Sequence, residues 1–202
     1  MNILKAIGLF LLDFVETIVI ALSIFVIVYI FLFQPHQVKG SSMEPSFQDG
    51  EYLLTNKIDY RFKTPQRGDV IVFKAPQNEE YDYIKRIIGL PGETVSIINS
   101  QVFIDSVKMD ESAYLPVEVK SRGGRFLGEN GSYSLGENEY FVLGDNRDHS
   151  SDSRDWGPVG QANIIGRAFF VYWPATKFGL VSRVVYSGLS IEALNLVPVT
   201  PS

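Results

Sequence analysis

The sequence predicts a mainly β chain held behind one N-terminal transmembrane helix, and three observations predict it. Phe14 to Phe33 is an apolar stretch of 20 residues whose only charge is Glu16. Beyond Pro35 the chain breaks into short β-branched and aromatic runs divided by Gly, Pro, Asn and Asp. Between Gly40 and Pro174 no long segment repeats its apolar residues at the helical period.

The apolar stretch comes first. At about 1.5 Å per residue, roughly twenty helical residues cross about 30 Å, the hydrocarbon thickness of a bilayer. A helix buried in a soluble core would not stay apolar on every face for that distance. A cleavable signal peptide is the competing assignment. The stretch is longer than the usual apolar region, however, and no small-x-small site follows before Gln34-Pro35. The sequence therefore predicts an anchor over residues 1–35.

The strand-like runs follow in order: Val70–Phe73, Thr94–Ile98, Val102–Ile104, Tyr140–Leu143 and Ala168–Trp173. Asn99-Ser100-Gln101 stands between two of them as a hairpin turn would. Residues 97–139 include the polar, Gly-rich pieces Lys120–Arg125 and Gly128–Gly131, which predict a smaller β insertion with mobile loops. That leaves residues 36–96 and 140–175 as the main β domain. Residues 176–202 form a mildly apolar tail interrupted by Arg183 and Glu192.

Composition removes several function classes. There is no Cys, so thiol catalysis and disulfides are excluded. A net charge of -5 without a long Lys or Arg run makes nucleic acid a poor partner. Only His36 and His149 supply imidazole, no metal-ligand spacing surrounds them, and no cofactor is expected.

Four segments can carry chemistry. Gly40-Ser-Ser-Met-Glu-Pro-Ser46 is a turn-like segment just beyond the anchor, and taken alone its serines are ordinary turn serines. Arg67–Phe73 is a turn feeding a strand. In Tyr83–Glu93, strict alternation puts Tyr83, Lys85 and Ile87 on one face and Ile84, Arg86 and Ile88 on the other. One of the two cations should therefore point inward. Alone, Lys85 reads as a solvated strand residue. Buried, it becomes a base, because desolvation disfavours the ammonium and a neutral amine can deprotonate a serine hydroxyl. The fourth segment, Gly144–Arg154, packs three Asp, two Arg and three Ser into eleven residues, as a hydrogen-bonded network beside a site would.

In this order the four segments resemble the type I signal peptidases, serine-lysine proteases of the bacterial leader peptidase family. The resemblance rests on Ser-Met-x-Pro after a membrane span, Arg-Gly-Asp-Val before a strand, Lys-Arg-Ile-Ile-Gly-Leu-Pro-Gly-Glu, and Gly-Asp-Asn-Arg-Asp-x-Ser-x-Asp-Ser-Arg. It runs from the anchor to about Trp173. It implies an antiparallel β-sheet catalytic domain with Ser42 as nucleophile and Lys85 as general base. Ser150 would orient the lysine, and Asp145, Asp152 and Arg154 would form the supporting ionic network. Val38, Met43 and Ile84 would contact substrate, with Val38 and Ile84 lining small side-chain pockets. The implied substrates are preprotein signal peptides with small residues at the first and third positions before the cut.

The implied setting is a plasma membrane, crossed once, with the catalytic domain on the external face. Lys5 and Lys39 flank the span on opposite sides, so the charge rule hardly discriminates orientation. Two positions depart from the family pattern: Gly40 where a second hydroxyl often stands, and His149 where many relatives carry Asn. Three alternatives remain beside this reading. They are a Ser42-His149-Asp triad, a peptidase dedicated to one conjugative or pilus substrate, and a non-catalytic membrane-tethered β-domain.

Overall fold

A computed structural model describes residues 3–184 and 186. The first element is helix α1, Ile3–Leu32. Within its described side chains the membrane-length window is Ile7–Val26, and none of it is covered by the rest of the protein. By length and composition that surface is apolar enough to cross a membrane. The window starts earlier than Phe14 and so takes in Asp13 as well as Glu16. Thr17 and Ser23 turn their hydroxyls back onto the carbonyls of Asp13 and Val19, at 2.8 and 2.7 Å. Their polar atoms are thereby satisfied within the helix. The sequence places the end of the anchor region at residue 35. The helix stops at Leu32, and Phe33–Gln37 is strand β1, paired with the next strand.

The remaining strands are β2 (Tyr52–Asn56), β3 (Val70–Lys74), β4 (Asp82–Gly89), β5 (Thr94–Ile98), β6 (Gln101–Ile104) and β7 (Val107–Lys108). They continue with β8 (Ser132–Ser134), β9 (Glu139–Leu143), β10 (Val159–Gly160), β11 (Ile164–Trp173) and β12 (Gly179–Leu180). One sheet runs β1-β2-β11-β3-β4-β9-β10 with β12 added on β11, and a second runs β7-β6-β5-β8. Every pairing is antiparallel. The mainly β expectation is met.

The smaller sheet begins at Thr94 rather than 97, and β12 extends the large sheet past residue 175. Asn99 and Ser100 form the two-residue turn between β5 and β6, at φ 52° and 59°. That left-handed geometry suits the right-handed twist of a hairpin. Of the tail expected over residues 176–202, residues 185 and 187–202 lie outside the described residues.

Strand β3 explains its own unbroken apolar run. Val70 and Val72 enter one core with Val38, Met43, Phe47 and Leu53, while Ile71 and Phe73 enter another with Ile87, Tyr140 and Val142. Both faces are covered, so both faces are apolar. A third core, including Ile88, Val95, Ile97 and Phe141, fastens the smaller sheet to the large one. Strand β4 lies between β3 and β9 and carries Lys85 through this frame.

Candidate active site

The turn after β1 carries Ser42, and β4 carries Lys85. Lys85 Nζ stands 2.8 Å from Ser42 Oγ and 2.9 Å from the carbonyl oxygen of Ile84. Lys85 is only 4% exposed. Burial pulls its pKa from 10.5 down to about 8, while the negative charges of Asp152 and Asp145 pull the other way. About a tenth of the amine is then neutral at pH 7, rising to half at about pH 8, and that fraction can accept a proton. Arg86 is buried as well, so β4 turns both adjacent cations away from solvent rather than one. The second cation is tolerated because Asp145 meets it with both oxygens, at 2.8 and 2.6 Å.

The segment from Gly144 to Arg154 follows β9 and closes over the serine turn. Asn146 donates its backbone N–H to Ser42 O at 3.0 Å and its side-chain amide to Ser41 O at 3.1 Å. Asp152 accepts from Arg154 Nε at 2.8 Å, from Arg154 Nη2 at 2.9 Å and from the Gly144 N–H at 3.1 Å. It also caps the one-turn helix α2, Ser153–Trp156, accepting from the Arg154 N–H. Buried charges are costly unless paired, and here each carboxylate has a guanidinium.

A cleft of about 620 Å³ opens beside the dyad, lined by Val38, Leu53, Val72 and Ile84 as well as Ser42 and Lys85. Val38 and Ile84 thus form part of the apolar wall of the cleft. Met43 does not. Its exposure is 0%, and it packs beneath the cleft in the core with Val38, Phe47 and Leu53. Ser150 also departs from expectation. Its Oγ is buried without a hydrogen-bond partner among the described residues, and the Lys85 amine contacts Ser42 and Ile84.

His149 is exposed and its ring makes no hydrogen bond among the described residues, so the geometry offers no Ser-His pair. Gly40 has a φ of +82°, a left-handed conformation that favours glycine over a hydroxyl-bearing residue. Its N–H is held by Asp49 Oδ1 at 2.7 Å. The far end of the cleft holds His36, which sequence reasoning did not place in the site. Its ring contacts Thr55 Oγ1 at 2.9 Å and Asp82 Oδ2 at 3.3 Å, and burial lowers its pKa against the pull of Asp82.

Residues 11–173 match the family described as signal peptidase, peptidase S26. The chain belongs to the signal peptidase S26 family. It is 35% identical over 181 residues to signal peptidase IB of Staphylococcus aureus, covering 83% of this chain and 92% of that protein. It is 36% identical over 165 residues to signal peptidase I of Bacillus caldolyticus, covering 79% of this chain and 90% of the relative. A crystal structure of a signal peptidase I from Enterococcus faecalis V583 aligns with 34% identity and a TM-score of 0.42, over 52% of this chain and 97% of that one. Membership of the S26 family makes the chain a serine peptidase of the signal peptidase type.

Proposed function

We propose that the protein is a membrane-anchored endopeptidase that removes signal peptides from exported preproteins, using Ser42 and Lys85 as a dyad through an acyl-enzyme. The observation that carries this reading is the 2.8 Å contact between a buried amine and a hydroxyl, inside a cleft on a β scaffold. With Lys85 neutral, the Ser42 hydroxyl donates its proton to Nζ as Oγ attacks the scissile carbonyl. The ammonium then returns that proton to the departing amine. The same amine deprotonates a water that attacks the ester carbonyl, and the resulting ammonium protonates Ser42 Oγ as the Oγ–acyl bond breaks and the acyl segment leaves as an acid. The backbone N–H of Ser42 is the local donor for the developing oxyanion.

Substrate class follows from position and cleft shape. Nine residues separate Leu32 from Ser42. Fully extended, those ten steps reach about 33–36 Å at most. The nucleophile therefore works close to the bilayer, where a signal peptide's cut site emerges. Small residues at the first and third positions before the cut suit pockets bounded by Val38 and Ile84. The catalytic domain would face the external side of a plasma membrane crossed once.

The test is detergent-solubilised cleavage of an alanine-x-alanine preprotein by wild type, Ser42→Ala and Lys85→Ala, reading the new amino terminus by mass spectrometry. Wild type should release the mature chain, and both variants should not. A variant lacking either side chain that still cuts would end the dyad assignment. Running several unrelated preproteins separates general processing from a peptidase dedicated to one substrate.

A further inference from the structure

We propose that Glu111 and Tyr114, in the segment between β7 and β8, are positioning residues for the Ser42–Lys85 dyad and act through Arg147 and Arg86. The inference rests on the dyad reading above. Sequence reasoning placed both residues in a mobile insertion, yet they reach back into the catalytic loop.

A local turn puts them together, with Tyr114 N–H and Leu115 N–H both donating to Glu111 O, at 3.2 and 2.9 Å. Arg147 donates to both Glu111 carboxylate oxygens, and to Tyr114 Oη at 3.1 Å. Tyr114 Oη itself donates to Glu111 Oε1 at 2.6 Å. Ser121 Oγ accepts from the same guanidinium. The segment is not floating, since Met109 N–H donates to Val102 O and Ser121 N–H to Ser100 O, each at 2.9 Å. The smaller sheet is thus the fixed side of the clamp.

Arg147 ties that side to the catalytic loop. Its Nε donates to Gly144 O at 3.0 Å, and its own carbonyl accepts from Arg154 Nη2 at 2.7 Å. Asn146 donates its N–H to Ser42 O, and Gly144 lies so near that oxygen that a Cβ there would meet it. Tyr114 adds a second point of control, because the Arg86 guanidinium lies 4.2 Å from its ring centroid. Arg86 adjoins Lys85 and pairs with Asp145. One tyrosine therefore touches the cation beside each half of the dyad. Glu111 also balances the charges: with Asp145 and Asp152 it sets three carboxylates against Arg86, Arg147 and Arg154. Small misplacements of reacting atoms cost large rate factors.

The test uses the full chain in detergent on a preprotein, with Glu111→Gln, Tyr114→Phe, Arg147→Lys and the Glu111→Gln/Arg147→Lys double variant. Glu111→Gln should lower kcat about tenfold with KM within about twofold, since the cleft walls are untouched. Tyr114→Phe should give a smaller kcat loss, because its ring stays over Arg86. The double variant should fall no further than its weaker parent, as expected when both act through one contact. Thermal melts separate these losses from unfolding, and if Glu111→Gln does not fold, Tyr114→Phe decides. Wild-type kcat in the folded single variants, or additive losses in the double, would overturn the clamp. In the same assay, active Ser42→Ala and Lys85→Ala would overturn the dyad and the clamp together. Inactive dyad variants beside a fully active Glu111→Gln would overturn the clamp alone.

Discussion

Lys85 Nζ lies 2.8 Å from Ser42 Oγ although the two residues are 43 positions apart in the chain. The serine turn is held from behind by Asn146 and the lysine strand is held on both sides by β3 and β9. Neither group can drift from the other without breaking a buried contact.

The first prediction separates this pair from the imidazole alternative. Ser42→Ala or Lys85→Ala should lower kcat by about 10²–10⁴-fold or more, the usual worth of a positioned base. Lys85→Arg should do no better, since a guanidinium stays protonated. His149→Ala should retain measurable cleavage, because its ring touches neither partner. Preprotein turnover by the four variants checks the set.

The second concerns pH. A base with a pKa of about 8 is neutral above that value and protonated below it. Activity should therefore fall on acidification through about pH 8, by roughly tenfold per unit well below it. Asp152 and Asp145 favour the ammonium, so losing either charge should move the acid limb to lower pH. Asp152→Asn should show that shift in kcat/KM. It should also cost about 3–5 kcal/mol of stability, because Arg154 is left buried without its partner. A denaturant melt reads the second effect.

How much of this was legible follows from what each residue touches. Ser42 and Lys85 could be read because their short motifs bind chemistry to local sequence, and β3 could be read because two cores demand one apolar run. The facing of Met43 could not, since it depends on the path of the turn, which buries the side chain one residue past the nucleophile. Nor could the burial of Arg86, whose tolerance rests on Asp145, 59 positions away. The Glu111–Arg147 contact spans 36 positions and has no periodic signature.

The third prediction addresses specificity. Ile84 and Val38 bound the cleft beside the dyad, and Ile84 is partly exposed there. Ile84→Ala opens space without touching the amine, whose partner at that residue is the backbone carbonyl. The variant should keep cutting alanine-x-alanine sites and accept larger residues near the cut. Sequencing product termini from a library of preproteins measures it, and an unchanged preference would place the pocket elsewhere.

The last prediction tests how tightly the catalytic loop is set against the nucleophile. A Cβ at Gly144 would press into both Ser42 O and Ser150 Oγ, well inside contact distance. Ser42 O is backbone and cannot rotate away. Gly144→Ala must therefore push the loop or the serine turn outward, at a cost of about 1–3 kcal/mol for overpacking. That displacement also strains the Asn146 bond to Ser42 O and moves Oγ relative to Nζ. Activity should then fall by more than stability does, with a folded, cooperative melt and a kcat loss of about a hundredfold. Gly160→Ala is the control, because its added Cβ meets nothing within 4 Å. Equal activity in the two variants would mean that the loop can yield without disturbing the dyad.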